Sequence, residues 1–262
     1  MIKVLINNQW ESVPKENLQL GAETFAFDTG LYETFRTLKH RHVFLEPHLN
    51  RLFKSAEITG LNIRYTQSEI RKMVDFVITD FSDQNQRVRI LAVPEKLIIY
   101  TSSLDLDHSI YEGVSAITLE GIRESPDVKT TNYKVCLDAW HQAEKMGCFE
   151  AILMDSNGIL FEGSRSNIFW IINEKVFTRK GNVLPGITRQ TIINRSPFPV
   201  EFGILQNNAI SKIDECFLTN SGSGIIPVTH LNGKNIGNGF VGEITSQLLS
   251  HYNEWMLQDI TG

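Results

Sequence analysis

Residues 149–172 read FEAILMDSNGILFEGSRSNIFWII, and this stretch decides the expected fold. Phe149–Asp155 and Ile159–Phe161 are short apolar runs of the length that predicts strands. Ser156-Asn157-Gly158 stands between them, and an Asn-Gly turn is a strong signal for a hairpin. The stretch therefore predicts antiparallel strands, with the acidic residue Glu162 directly after the second one.

Strand and helix signals follow one another on both sides of this stretch. Gly30–Arg36 alternates apolar and polar residues as a strand does. Pro47 is placed to open a helix, and Thr66-Gln67-Ser68-Glu69 is a capping-box pattern that predicts another helix to about Asp80. Val241–Leu257 predicts a helical tail. The sequence therefore predicts the α+β class, with sheet and helix regions separated along the chain.

The character of the sequence changes near residues 115–125, where we place a domain boundary. We expect residues 1–120 to form a smaller N-terminal α/β domain and residues 121–262 to form a larger C-terminal domain. A chain of 262 residues can bury the core that two packed domains need.

The composition restricts the class of protein. Hydrophobic residues make up 42% and charged residues 21% of the chain, which is typical of a soluble globular protein. The net charge of −5 argues against nucleic acid as the main partner, because phosphate contacts need clustered Lys and Arg. No apolar stretch reaches the ~18 residues that span a membrane, and Met1–Trp10 does not have the pattern of a signal peptide.

The cysteines are informative about the compartment. Cys136, Cys148 and Cys216 are odd in number and lack the spacing of a metal site. We therefore expect reduced thiols, no bound metal and a cytoplasmic protein.

Three separate segments have features that suit an anion. Ser221-Gly222-Ser223-Gly224 can expose backbone N–H groups after a strand, and Gly186-Ile187-Thr188 can do so at the start of a helix. Arg51 lies on a predicted helix and suits a forked contact to phosphate. Each feature also has an ordinary explanation, as a flexible turn, a helix-entry loop or a solvated charge. Three such features in distant segments need a joint explanation.

Two ionisable residues are candidates for chemistry. Lys129 stands just before a predicted helix among small polar residues, where a lysine is by default a surface charge. A catalytic lysine needs burial or a cationic neighbour to become nucleophilic, and spacing alone does not show this. Glu162 either faces solvent or is aimed at a buried partner. The residues themselves leave both alternatives open.

Taken together, these segments resemble the fold-type IV pyridoxal-phosphate enzymes, the class IV aminotransferases. That family includes branched-chain aminotransferases, D-amino-acid aminotransferases and 4-amino-4-deoxychorismate lyases. Six pieces follow the family's order, which makes the resemblance specific. They are Asp28–Thr34, Pro47–Leu52, Lys129–Tyr133, Glu162–Phe169, Leu184–Arg189 and Asp214–Ser221.

The resemblance implies an architecture similar to D-amino-acid aminotransferase, with two α/β domains and pyridoxal 5′-phosphate between them. It also implies a homodimer. Lys129 would carry the cofactor and move the proton at Cα of the substrate. Glu162 would keep the pyridine nitrogen protonated, so that the ring acts as an electron sink. Leu184 would pack on the ring.

The resemblance also assigns phosphate and substrate contacts. Tyr133 would reach the phenolic oxygen of the cofactor, and Tyr32 and Thr34 would line the substrate pocket. The implied phosphate contacts are Arg51, the N–H groups of Ile187 and Thr188, and the turn at Ser221 and Gly222.

Two reactions are consistent with this family. A transaminase releases a 2-oxo acid, whereas the lyase eliminates pyruvate and leaves 4-aminobenzoate. Thr34 matches a threonine that assists the elimination in the lyases, although threonine is also simply a good strand residue. Val93-Pro94 stands where many relatives have an Arg-Gly pair that binds a carboxylate, and Arg87, Arg89 or Arg165 could replace it.

We favour a transaminase that acts on a small amino acid and a 2-oxo acid, similar to the branched-chain enzymes, over the lyase of the folate pathway. Two other classes stay open: a cofactor-binding protein that has lost catalysis, and an α+β protein without a cofactor. Lys129 and Glu162 together argue against both.

Overall fold

The computed structural model describes residues 1–261, which form two compact units. The first unit consists of Met1–Asp105, Val128–Lys134 and the residues from Met256 on. The second consists of Leu106–Asp127 and Val135–Trp255. Neither unit is continuous in sequence, which differs from the single boundary after residue 120 that the sequence predicts.

The first unit contains a six-stranded antiparallel sheet in the order β2-β1-β6-β5-β3-β4. Two helices lie between its strands in the sequence. The elements are β1 (Ile2–Ile6), β2 (Gln9–Val13), β3 (Leu31–Leu38), β4 (Arg41–His42), α1 (Leu45–Thr59), α2 (Gln67–Asp80), β5 (Gln86–Val93) and β6 (Lys96–Ser103).

Both faces of this sheet are buried. Successive side chains of β3 alternate between two apolar clusters, one on each face. Leu31 and Phe35 belong to one apolar cluster, which also contains Leu49 of α1 and Ile70 of α2. Tyr32 belongs to a second cluster, which forms with residues of β1, β5 and β6. Because successive side chains of a strand point to opposite faces, β3 carries both clusters at once.

The helix signals in the sequence are confirmed in this unit. The side chain of Thr66 accepts a hydrogen bond from the Glu69 N–H, and the Glu69 carboxylate accepts one from the Thr66 N–H. This capping box starts α2 one residue after Thr66. Pro47 lies in the first turn of α1, which begins at Leu45.

The second unit contains a ten-stranded sheet in the order β12-β11-β10-β14-β15-β7-β8-β9-β13, and β16 pairs with β15. The elements are β7 (Val114–Glu120), α3 (Lys134–Lys145), β8 (Glu150–Met154), β9 (Ile159–Gly163), β10 (Asn167–Ile172), β11 (Lys175–Thr178), α4 (Ile187–Arg195), β12 (Val200–Phe202), β13 (Leu205–Gln206), β14 (Glu215–Asn220), β15 (Gly224–Leu231), β16 (Lys234–Asn235) and α5 (Glu243–Thr261). Helix α4 belongs to this unit, as do α3 and α5 except for Lys134 and the residues from Met256 on.

The central strand β7 occupies the region in which the sequence places a domain boundary. It pairs in parallel with both β15 and β8. Its sequence, Val114–Glu120, mixes small and polar residues with apolar ones, so it lacks the continuous apolar run of a buried parallel strand. The partners that hold it in the sheet are distant in sequence, and a local pattern does not reveal them.

Two aromatic rings stack on one face of this larger sheet. The rings of Phe169 on β10 and Phe217 on β14 are parallel, with centroids 4.8 Å apart, and both side chains are fully buried.

Among residues 1–261, no helix combines the length and the apolar character that crossing a bilayer requires.

The Phe169–Phe217 stack makes the stability of this unit testable. We expect Phe169→Ala to lower the free energy of unfolding by about 3–5 kcal/mol, because it leaves a cavity and removes a ring contact. Phe240→Ala is the matched control, since Phe240 is 77% exposed. Urea denaturation measures both variants. Equal losses of stability in the two would show that the stack does not support the core.

Candidate active site

The backbone holds Lys129 against the start of β3. The Tyr32 N–H donates a hydrogen bond to the carbonyl oxygen of Lys129 over 3.0 Å. Two residues on, the Thr131 N–H donates to the Gly30 oxygen over 2.8 Å, and the Gly30 N–H donates to Oγ1 of Thr131 over 2.8 Å. The segment around Lys129 is therefore paired like a short additional strand.

The side chain of Lys129 lies over an aromatic ring. Its Nζ is 4.4 Å from the centroid of the Tyr32 ring, and the guanidinium of Arg89 is 5.7 Å from the same centroid. The ring of Tyr133 meets Tyr32 edge-on, with centroids 6.2 Å apart. The structure thus brings Lys129, Tyr32 and Tyr133 together and adds a second cation, Arg89.

Arg89 engages the hydroxyl of Thr34. Its Nε donates to Oγ1 of Thr34 over 3.3 Å, and its Nη1 donates to the hydroxyl of Tyr100 over 3.1 Å. Arg165 lies instead over the ring of Trp140, at 4.3 Å. Arg87 is exposed on β5. Of the three arginines that the sequence leaves open as a carboxylate clamp, Arg89 is the one beside Tyr32 and Thr34.

A cavity of about 360 Å³ opens beside the residues that follow Lys129. Its lining includes the polar residues Thr131, Asn132 and Lys134 and the aromatic residues Phe25 and Phe27.

Arg51 forms a buried ion pair with Glu33. Its Nε donates to Oε1 of Glu33 over 2.8 Å and its Nη2 donates to Oε2 over 2.6 Å. Both side chains are buried. Burial alone would raise the pKa of Glu33, but Arg51 and His48 outweigh it and lower that pKa to about 2. Any phosphate contact by Arg51 is thus made by a guanidinium that is already paired.

His48 completes this buried group. Its Nδ1 lies 2.7 Å from Oε2 of Glu33. Burial lowers the pKa of His48 below 6.5; the Glu33 carboxylate opposes this, while the charges of Arg51 and Lys129 add to it. An ionised carboxylate only accepts, so the neutral ring carries its hydrogen on Nδ1 and donates it to Glu33.

In the second unit, Glu162 is buried and surrounded by donors. Its side chain is 5% exposed. Arg123 Nη1 donates to Oε1 over 3.0 Å, while Asn167 Nδ2 and the Leu184 N–H donate to Oε2 over 3.2 and 2.9 Å. Hydrogen bonds of this kind stabilise the ionised carboxylate. The sequence left open whether Glu162 faces solvent or a buried partner, and the structure shows that it is buried.

Asn167 connects Glu162 to the start of α4. Its Nδ2 also donates to the Leu184 carbonyl oxygen over 2.9 Å, and a side chain at Gly186 would collide with its Oδ1. Asn167 pairs with Thr219 across β10 and β14, so the two side chains share one face of the sheet. Oγ1 of Thr219 is buried and has no hydrogen-bond partner in the part of the chain that the structure describes.

The first turn of α4 carries Ile187 and Thr188, and no side chain caps it. Helix starts leave backbone N–H groups without an acceptor inside the helix, and an anion suits that place. The hydroxyl of Thr188 lies 3.1 Å from that of Tyr252 on α5. A side chain at Gly224 would come within 2.8 Å of the Tyr252 ring. The side chain of Tyr252 therefore lies next to both the start of α4 and the last residue of the Gly-rich turn.

The side chain of Asn220 closes the Gly-rich turn. Oδ1 of Asn220 accepts hydrogen bonds from the N–H groups of Gly222, over 3.0 Å, and Ser223, over 2.8 Å. The Gly222 N–H is thus engaged inside the turn. Ser221 lies at the centre of this turn, between Asn220 and Gly222.

Several residues of the site were not singled out from the sequence. Glu33 had a visible signal, because alternation places it on the inward face of β3 with Leu31 and Phe35. Asn220 had one too, since an Asn before Ser-Gly is typical of a turn closed by its side chain. Arg123 and Tyr252 had no signal in the local sequence, because their partners are remote along the chain.

Among the described residues, no group of His, Cys, Asp or Glu side chains is arranged to hold a metal ion.

A model of the amino-transferase class IV family matches residues 30–231. D-alanine aminotransferase of Staphylococcus epidermidis is 27% identical over 285 aligned positions, which cover 98% of each protein. A probable branched-chain-amino-acid aminotransferase of Thermotoga maritima is also 27% identical, over 87% of this chain and 86% of that protein.

The fold has close structural counterparts. The crystal structure of branched-chain aminotransferase from the thermophilic archaeon Thermoproteus uzoniensis, with norvaline, superposes with a TM-score of 0.84 at 23% identity. The match covers 99% of this chain and 96% of that one. The two-sheet α and β fold is therefore that of the fold-type IV structures.

The buried Glu33 group predicts a pH dependence. The folded-state pKa of about 2 lies below the ordinary value of 4.5, so the charged carboxylate stabilises the fold above pH 4.5. That contribution, about 3 kcal/mol, is lost as the pH falls from 4.5 through 2. Glu33→Gln should lack this loss and should already be less stable at pH 7, because Arg51 stays buried without its partner.

Glu57→Gln is the control, because Glu57 is an exposed carboxylate on the same helix as Arg51. Urea denaturation at pH 7 and at pH 3 compares the variants with the original chain. Parallel loss of stability in Glu33→Gln and the original chain would mean that Glu33 contributes nothing through its charge.

Proposed function

The chain belongs to the amino-transferase class IV family, and we propose that it uses pyridoxal 5′-phosphate to transfer the amino group of a small amino acid to a 2-oxo acid. The observation that carries the proposal is the buried carboxylate of Glu162, linked through Asn167 to the uncapped start of α4. A cofactor with a basic ring nitrogen and a phosphate needs a carboxylate for the nitrogen and an anion site for the phosphate.

The donors in the second unit fit this cofactor. The start of α4 offers the N–H groups of Ile187 and Thr188, and the buried hydroxyl of Thr219 has no partner among the described residues. We assign the phosphate to this place, with Ser221 of the same unit as a further contact. Leu184 would pack on the ring, since its N–H already binds Glu162.

When bound, the cofactor supplies an electron sink that makes the Cα proton of the amino acid easier to remove. Glu162 stabilises the positive charge of the protonated ring nitrogen. Lys129 Nζ would hold the cofactor, and after its release it would take the proton from Cα. Tyr133, packed against Tyr32 beside Lys129, would orient the phenolic oxygen.

We propose Arg89 as the group that binds the substrate carboxylate. A guanidinium suits a carboxylate because its N–H groups form a planar fork. Arg89 is half-buried beside Tyr32 and already orients the hydroxyl of Thr34. The arrangement supplies the charge that the Val93-Pro94 sequence lacks.

No observation favours the lyase. The relatives named above are aminotransferases, and the Thr34 hydroxyl accepts a hydrogen bond from Arg89. We further propose that the protein is a cytoplasmic homodimer. Sedimentation at a single-chain mass would contradict the dimer.

Replacement of Lys129 tests the cofactor assignment. We expect Lys129→Ala to abolish the visible absorption band that borohydride removes from the purified protein. Turnover should fall by at least about 10²–10⁴-fold, because general acid–base catalysis at Cα is lost. Lys145→Ala is the control, since Lys145 is exposed on α3. An unchanged absorption band in Lys129→Ala would refute the assignment.

The substrate class is tested with amino acids and 2-oxoglutarate. We expect transamination of D-alanine or of a branched-chain L-amino acid, measured as 2-oxo acid released. Arg89→Met should raise KM for the amino acid by about tenfold or more, with kcat less affected, because a binding contact is lost. Arg41→Met removes an exposed arginine of the same unit and should leave KM unchanged.

Aminodeoxychorismate provides the opposing assay. Release of 4-aminobenzoate without any transamination would replace the proposed reaction by the lyase reaction. An unaltered KM in Arg89→Met would remove Arg89 from the substrate site while leaving the reaction type intact.

A further inference from the structure

The inference concerns Arg123 and rests on the proposed role of Glu162. We propose that Arg123 is a positioning residue that keeps Glu162 ionised, so that the shared proton stays on the ring nitrogen of the cofactor. Arg123 Nη1 lies 3.0 Å from Oε1 of Glu162. The two side chains are 15% and 5% exposed, so water screens the pair weakly.

The guanidinium is fixed by its own loop. Nη1 of Arg123 also donates to the carbonyl oxygen of Pro126 over 3.3 Å. The loop begins at Gly121, whose N–H donates to the Met154 oxygen over 3.0 Å and so ties the loop to β8. A charge anchored in this way does not need to reorganise when a ligand approaches, which makes its effect on Glu162 permanent.

The other groups around Glu162 do not replace this charge. Asn167 and the Leu184 N–H bind Oε2 and are neutral. Arg189 on α4 is the second cation that interacts with Glu162; burial lowers the pKa of Arg189 and the carboxylate opposes this. Its guanidinium donates to Oγ1 of Thr178 over 3.4 Å and to the Arg179 oxygen. Arg123 therefore supplies an ionic hydrogen bond to Glu162 that the neutral donors do not.

The chemical consequence follows from competition for one proton. A proton between a carboxylate and a ring nitrogen stays on the more basic of the two atoms. The guanidinium of Arg123 stabilises the anionic form of Glu162 and lowers its proton affinity, so the ring nitrogen retains the proton. Without Arg123, the proton affinity of the Glu162 carboxylate would rise, and the proton would shift from the ring nitrogen towards it. No other group is oxidised, reduced or transferred.

The first experiment follows Glu162 itself, in the full chain freed of cofactor. Carbon-13 labelled glutamate is titrated by NMR, and the Glu162 signal is assigned from its absence in Glu162→Gln. We expect Arg123→Met to move the titration midpoint of Glu162 upward by about 1–2 pH units, a change of about 10–100-fold in its protonation equilibrium. Arg123→Lys keeps the charge and should move it less. Arg195→Met removes an exposed arginine of α4 and should not move it.

The second experiment follows the ring nitrogen. The chain and its variants are loaded with pyridoxal 5′-phosphate labelled with nitrogen-15 in the ring. We expect a protonated ring signal in the original chain and in Arg123→Lys, and a shift towards the neutral ring in Arg123→Met. A merely structural role of Arg123 would change neither the titration nor the nitrogen signal in a variant that stays folded.

The outcomes separate the two proposals. An unmoved Glu162 midpoint in Arg123→Met refutes the inference, even where the enzyme binds its cofactor and turns over. A moved midpoint in a chain that never binds pyridoxal 5′-phosphate refutes the proposed function and the ring-nitrogen step. Only the effect of Arg123 on the ionisation of Glu162 would then stand. Should Arg123→Met fail to fold, Arg123→Gln, which keeps a hydrogen-bond donor without the charge, gives the same decision.

Discussion

The buried carboxylate of Glu162 determines the arrangement of the site in the second unit. A charge removed from water is unstable unless donors replace the solvent. Here the donors come from three places in the sequence: Arg123 after β7, Asn167 at the start of β10, and the backbone at Leu184. Each contact fixes the segment that supplies it. The position of α4 follows, because Asn167 also binds the Leu184 carbonyl and abuts Gly186.

Other buried carboxylates organise their surroundings by different means. Glu33 is compensated by a full charge, in a forked pair with Arg51. Glu150 is compensated by neutral donors: the Ser166 hydroxyl at 2.9 Å, the Arg165 N–H at 3.2 Å and the Ser164 hydroxyl. Those donors lie in the loop between β9 and β10, so Glu150 shapes the segment that joins Glu162 to Asn167. Buried charge thus acts in this fold chiefly as a means of specifying loop geometry, at a cost in desolvation.

The sequence predicted those elements whose cause is local. The capping box at Thr66 and the antiparallel hairpin of β8 and β9 needed no knowledge of distant partners. Strands β7 and β15 could not be predicted in the same way, because their parallel pairing joins residues more than a hundred positions apart. The site shows the same division. The resemblance singled out Lys129 and Glu162, whereas Arg123 follows from folding alone, since nothing near it in sequence marks it as a partner of Glu162.

The three anion-type features of the sequence differ in what they can offer a phosphate. Arg51 already shares its charge with Glu33, and the Gly222 N–H is used by Asn220. The start of α4 has no side-chain cap, and its Thr188 stands next to Tyr252. A doubly charged phosphate gains most from donors without another acceptor, because no existing hydrogen bond has to be exchanged. The helix start should therefore contribute most to phosphate affinity.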